Sequence, residues 1–179
     1  MTIESMIEAT IGKEGGYSNN PNDTGGETMW GITAAVARRN GYAGPMKDMP
    51  RDKAVAIYRQ EYAIKPGFAA VAEIMPTVGE ELFDTGVNMG PAVPSLWLQE
   101  WLNVFNRQGK LYPDIKEDGA IGNGTLAALR SFKAARGADA EMVLRVALNC
   151  SQGERYKVLS QKRPANEEFT WGWLRNRVA

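Results

Sequence analysis

Residues 17–33 break from the helical patterning that dominates this chain, and within them 28–30 is the only plausible strand. A chain patterned this way builds its core from helices. Thr2 can cap a first helix that sets Met6, Ile7, Thr10 and Ile11 on one face. Gly15-Gly16 should end it, because glycine tolerates the left-handed exit conformation. Asn19, Asn20, Pro21, Asn22, Asp23, Gly25 and Gly26 then predict an irregular loop or small hairpin. Helices are expected over 34–40 behind a Thr33 cap and over 51–62 behind Pro50, with Val55, Ile57, Tyr58 and Tyr62 as core candidates. Pro66-Gly67 breaks the chain, and a helix from Pro76 or Thr77 to Asn88 stops at Gly90-Pro91. Residues 95–106 are apolar around the whole helix, which marks a central element. A loop over 113–124 precedes three more helices, 125–136, 138–159 and 167–178. The expected architecture is mainly α, with regions 1–91 and 92–179 packed on one core.

Composition removes whole classes of chemistry. The 179 residues contain no histidine, so Ser-His-Asp hydrolysis, Cys-His proteolysis and imidazole zinc sites are excluded. The single cysteine, Cys150, forms no internal disulfide, and its apolar run predicts a core position. Acid–base work would fall to carboxylates, tyrosine or lysine. With 21 basic and 21 acidic residues, the net charge of zero speaks against nucleic-acid binding. The N-terminal stretch carries Glu4 and Glu8 and does not read as a signal peptide. No run reaches the roughly 18 apolar residues of a membrane span. The expectation is a monomer without a membrane anchor, made in the cytoplasm and needing no metal or organic cofactor.

The segment EGGYSNNPNDTGGETMWGIT, residues 14–33, concentrates the candidate chemistry. Glu14 falls at the C-terminal end of the first helix, where the macrodipole is negative and a carboxylate is harder to ionise. That property suits a general acid. Asp23 follows in a polar loop that should keep it ionised. Two carboxylates in contrasting environments can cleave a glycosidic bond. Alternatively, Glu14 is a solvated helix end and Asp23 a turn former holding its own backbone. Tyr17 and Trp30 flank the loop, and an aromatic face there can stack on a sugar ring; Trp30 can equally be core. Asp84 and Asn88, four apart on one helical face, either line a cleft or hold neighbouring structure. Trp97, Trp101, Trp171 and Trp173 read as core rather than a binding platform, and Arg175 and Arg177 suit either a helix end or an anionic polymer.

The spacing E-x(8)-D followed by T resembles the Glu/Asp/Thr triad of phage lysozymes, and the fuller string EGGY…N-D-x-GG-x-T-x-x-GIT resembles glycoside hydrolase family 108, the N-acetylmuramidases. FDTGVNMGP at 83–91 resembles that family's F-D-x-x-V-N-x-G segment. LQEWLN at 98–103, EDGAIGNGTLAAL at 117–129, ERYKVL at 154–159 and FTWGWLRNRV at 169–178 resemble the peptidoglycan-binding half that accompanies it. The D-G-x-x-G-x-x-T-x-x-A-L signature within that half reads physically as a turn before a helix capped by Thr125, mainly a folding device.

The resemblance implies a lysozyme-like fold, with a muramidase region at 1–91 and a helical peptidoglycan-binding region at 92–179. It implies hydrolysis of the β-1,4 bond between N-acetylmuramic acid and N-acetylglucosamine. Glu14 matches the catalytic glutamate; Asp23 and Thr28 correspond to the aspartate and threonine; Tyr17, Trp30 and Asn88 are the substrate-binding candidates. One departure is visible: four residues separate Asp23 from Thr28 where the phage-lysozyme pattern has five. Glu27 stands where the family often has proline. The partner is bacterial peptidoglycan, with action in the periplasm after release, for instance through a holin. A lytic transglycosylase and a non-catalytic peptidoglycan-binding secretion accessory are the alternatives.

Overall fold

The computed structural model describes residues 2–14, 16–19 and 26–178, without the side chains of Lys13 and Glu14. The chain forms two compact units, 1–65 and 66–179. Its fold class is mainly α and lysozyme-like, with a small hairpin after the first helix.

In the first unit, α1 (Ile3–Glu14) starts on a reciprocal cap. Thr2 Oγ1 accepts from the Ser5 amide at 3.2 Å, and the Thr2 amide donates to Ser5 Oγ at 2.9 Å. Met6, Ile7 and Ile11 are buried, as their spacing predicts. Strands β1 (Thr28–Met29) and β2 (Ile32–Thr33) pair antiparallel, Thr28 opposite Thr33. Their two-residue turn holds Trp30 at φ 55° and Gly31 at φ 75°. Positive φ at both central positions is the hairpin turn whose twist matches the strands. Glycine adopts it freely; a tryptophan there is strained and must be held. Thr33 caps α2 (Ala34–Arg39), its hydroxyl accepting from the Val36 amide at 3.3 Å. Next, α3 (Arg51–Tyr58) follows Pro50 and runs on into a π-helical turn, Arg59–Ile64. The expected helix over 51–62 therefore changes its hydrogen-bond step after Tyr58. Arg51 of α3 pairs with Glu8 of α1.

The second unit contains α4 (Phe68–Ile74), α5 (Pro76–Met89), α6 (Ala92–Phe105), α7 (Asn123–Arg136), α8 (Ala140–Lys162) and α9 (Glu167–Arg177). The sequence reading did not anticipate α4, a seven-residue helix that buries Phe68 and Val71. It lies against α5 so closely that a Cβ at Gly79 would come within 2.5 Å of Ala72 Cβ. The N-terminus of α5 is capped from α8, where Glu141 Oε1 accepts from the Thr77 amide at 2.6 Å and hydroxyl at 3.0 Å.

Three expectations are corrected here. Cys150 is exposed, not core. On α8 the buried face is Leu144, Ala147 and Leu148, and the helical turn carries Val143, Val146 and Cys150 to the outside. Thr125 does not cap α7, which starts two residues earlier behind Gly122. Trp171 is 77% exposed, whereas Trp97, Trp101 and Trp173 are partly buried. Within α6, Leu98, Gln99 and Leu102 are buried but Val104 faces outward, so its apolar character exceeds its burial.

Candidate functional site

Glu14 is the last residue of α1. Asp23 lies outside the described residues, which resume at Gly26. What the structure describes is the framework on either side of the segment 20–25. Ser18 and Thr28 form an antiparallel bridge: the Ser18 amide donates to the Thr28 carbonyl at 3.0 Å, and the Thr28 amide to the Ser18 carbonyl at 2.8 Å. Thr28 also pairs with Thr33 on its other side. Its backbone position is thus set from both flanks, and the Glu27 carbonyl is held by the Ala34 amide at 2.9 Å.

Side chains reinforce this closure. Tyr17 Oη donates to Glu27 Oε1 at 2.7 Å. The bond to Glu27 pushes the Tyr17 phenol above its usual range, because losing the proton would set two negative charges side by side. Glu27 therefore ties the two stems together. The Tyr17 ring remains 44% exposed, a flat apolar surface of the kind on which a pyranose ring stacks.

Trp30 is partly buried and its polar groups are committed to the fold. Its indole Nε1 donates to the Met49 carbonyl at 3.0 Å, and its own carbonyl accepts from Tyr58 Oη at 3.0 Å. Those two bonds hold the strained hairpin turn against the body of the first unit. Tyr58 is itself buried and packs on Tyr62, with ring centroids 5.5 Å apart.

Asn88 lies in the second unit and is exposed. Its Oδ1 accepts from Tyr156 Oη at 3.2 Å. One turn earlier, both oxygens of Asp84 accept from Arg177 Nη1 at 3.0 Å. The Asp84–Asn88 face of α5 thus receives α8 and α9, and Arg177 is engaged there as well.

The D-G-x-x-G-x-x-T segment is organised by Gln99, a fully buried amide that the sequence reading passed over. Gln99 Nε2 donates to Asp118 Oδ1 and the Ala120 carbonyl at 3.0 Å and to Thr125 Oγ1 at 3.2 Å. Its Oε1 accepts from the amides of Asp118 at 2.9 Å and Gly119 at 2.8 Å. One side chain satisfies the whole turn, so the motif's polar groups serve the fold. The bond from Gln99 also holds the Asp118 carboxyl below its ordinary range.

A second overlooked residue is Glu81, on the inner face of α5 between buried Val78 and Thr85. Burial pushes its carboxyl up to about 7. Thr85 Oγ1 donates to its Oε1 at 3.2 Å and in turn accepts from Gln152 Nε2 at 3.0 Å. Asp84 adds to the shift, while Thr85 and Arg145 oppose it. Its spacing from Val78 and Thr85 is the signal that could have revealed it.

Residues 7–90 match the model of the glycosyl hydrolase 108 family, and residues 93–178 match a predicted peptidoglycan domain. Among solved structures the chain is similar to Brucella abortus SagA, at 24% identity and a TM-score of 0.60, covering 98% of this chain and 97% of that one. At that identity the likeness speaks for the fold. No curated protein matches the sequence.

Proposed function

We propose that this chain, which belongs through residues 7–90 to the glycosyl hydrolase 108 family and carries a peptidoglycan domain over residues 93–178, is an N-acetylmuramidase. It hydrolyses the β-1,4 bond between N-acetylmuramic acid and N-acetylglucosamine. The observation that carries this reading is the place of Glu14, the residue that matches the family's glutamate, as the last residue of α1. A carboxylate at the negative end of a helix is harder to ionise, which is the direction a general acid requires. In this mechanism Glu14 protonates the glycosidic oxygen as the bond breaks. Asp23 supplies the second carboxylate, positioning water or stabilising the oxocarbenium-like centre. Thr28, fixed in register between Ser18 and Thr33, is a candidate to orient that water. The exposed ring of Tyr17 supports a sugar beside them, while Trp30 acts mainly by holding the hairpin. Asn88 is engaged by Tyr156, so any substrate contact it makes comes with that bond. The site of action is the cell wall, which the protein reaches after release from the cytoplasm, by a holin or another route.

The test is Glu14→Gln assayed on purified sacculi, with released muropeptides identified by mass. We expect a loss of 10²-fold or more in turnover with an unchanged circular dichroism spectrum, since general acid catalysis contributes about 10²–10⁴-fold. Retention of more than about a tenth of the activity would overturn the assignment. Anhydro-muropeptides, one water lighter, would identify a transglycosylase instead.

A further inference from the structure

Within the second unit, α8 and α9 enclose a groove of about 500 Å³. Lys157 and Gln161 of α8 face Glu167 and Leu174 of α9 across it. At one end Gly153 approaches α9, where a Cβ would lie in van der Waals contact with Leu174 Cδ2 at 3.7 Å and Val178 Cγ1 at 3.8 Å. The hydroxyls of Ser160 and Thr170 are bonded to each other and to the Tyr156 and Asn166 carbonyls, so they form a satisfied floor. The side chains of Gln161 and Glu167, by contrast, have no hydrogen-bond or ion-pair partner among the described residues.

Trp171 is four residues beyond Glu167 and three before Leu174, which places it on the same stripe of α9 as the groove wall. It is 77% exposed and makes no ring contact among the described residues. Its neighbour Trp173 is spent on packing, stacked on Tyr156 at 5.0 Å and on Phe169 at 6.1 Å. Lys157 is paired with Glu154 in the same lining, so the groups left open beside the unsupported indole are the Gln161 amide and the Glu167 carboxylate, a stacking face with hydrogen-bonding groups at its edge. That combination suits a sugar ring, with apolar C–H faces and polar rim.

We infer that the α8–α9 groove is a saccharide subsite, separate from the Glu14 region. It takes one N-acetylhexosamine unit of the glycan strand on the Trp171 face, with its hydroxyl and acetamido groups toward Gln161 and Glu167. The inference rests on the peptidoglycan reading above and specifies which surface of the 93–178 domain holds the polymer.

The test titrates the full chain with N-acetylchitotetraose and follows ¹⁵N-resolved signals. Shifts are expected at the Trp171 indole N–H and the Gln161 side-chain amide. Trp171→Ala should weaken binding at those signals by about fivefold to tenfold, and Trp171→Phe should recover most of it, as expected for loss and return of an aromatic contact. Both variants should melt with the wild type, since the ring is solvent-facing. Sedimentation with purified sacculi should fall in the same order. Unshifted groove signals, or equal binding by Trp171→Ala, would overturn the subsite. So would a concentration-dependent dimer that Trp171→Ala abolishes and the sugar leaves unchanged. Release of reducing ends from sacculi is scored separately: its absence in the wild type counts against the hydrolase reading, while the groove is judged on binding.

Discussion

Replacing Glu81 by glutamine isolates one buried carboxyl whose proton equilibrium is coupled to folding. In the unfolded chain it titrates at the ordinary 4.5; burial raises it to about 7 in the folded protein. Below 4.5 both states hold the proton and the side chain contributes its full stability. Between 4.5 and 7 the folded state keeps the proton and the unfolded state releases it, so stability falls as pH rises through this window. Above 7 both states are ionised and the loss is complete. The ceiling is about 3 kcal/mol, at about 1.4 kcal/mol for each tenfold change in proton affinity. Partial solvent access brings the expectation to about 2 kcal/mol; the opposing Arg145 charge is already contained in the shift to about 7. Asp84 is the like charge on the same helix, itself paired with Arg177, and the Tyr156 phenol is the other titratable group facing Glu81. The neighbouring amide of Asn149 has an atom 2.7 and 3.0 Å from the two Glu81 oxygens. Beside an ionised carboxylate that atom must be the nitrogen. Beside a protonated one the oxygen accepts, leaving Nδ2 to donate to the Val178 carbonyl at 3.3 Å. Glu81→Gln stays neutral throughout. Thermal unfolding followed by circular dichroism should therefore give similar Tm values for variant and wild type at pH 4, a gap that opens through pH 5, and a variant more stable by about 4–8 °C at pH 8. Glu8, Glu61 and Asp118 are held below their ordinary range, so their stability is lost only as the solution becomes more acidic than this window. The raised Glu100 cancels in the difference between the two proteins. Parallel Tm curves from pH 5 to pH 8 would refute the coupling.

Two further outcomes are expected. Gln99→Ala strands the buried Thr125 hydroxyl and the Asp118 and Gly119 amides, so urea unfolding should show a loss of about 2–4 kcal/mol; a change under 1 kcal/mol would mean the turn holds itself. Asp23→Asn should lower turnover on sacculi at least tenfold with Tm and wall binding near wild type, whereas near-normal turnover would reduce Asp23 to a turn former and leave Glu14 as the sole essential carboxylate.

Helices were legible wherever the signal was local. The Thr2 and Thr33 caps, the Pro50 and Pro76 starts and the stripe of Met6, Ile7 and Ile11 all depend on residues within two turns of each other. What was illegible depends on distant partners. The seven residues of α4 are too short for a clear period, and they form a helix because Phe68 and Val71 find a core and Gly79 admits Ala72. The run 143–150 is apolar but for Arg145 and Asn149, yet a helix buries one side of it, so Cys150 could not be placed from composition alone. Gln99 looked like one polar residue on an apolar helix; only its five partners, 19 to 26 residues away, reveal that it organises a turn.

The same distinction separates chemistry from scaffold inside the motif that first drew attention. In the string of residues 14–33, Gly31 and Trp30 make the positive-φ turn, and Trp30 is then held by Met49 and Tyr58. Thr33 is a helix cap, Glu27 accepts from Tyr17, and the backbone of Thr28 is the middle rung between Ser18 and Thr33. Trp30, Gly31 and Thr33 therefore have structural duties that would hold those positions even in a chain without activity. A match to such a string tests whether the hairpin can form more stringently than whether the bond is cut. The residues whose identity this scaffold does not explain are the ones to which the proposed hydrolysis assigns chemistry, Glu14 foremost, and a carboxamide at that position separates the two roles because it changes the proton and little else.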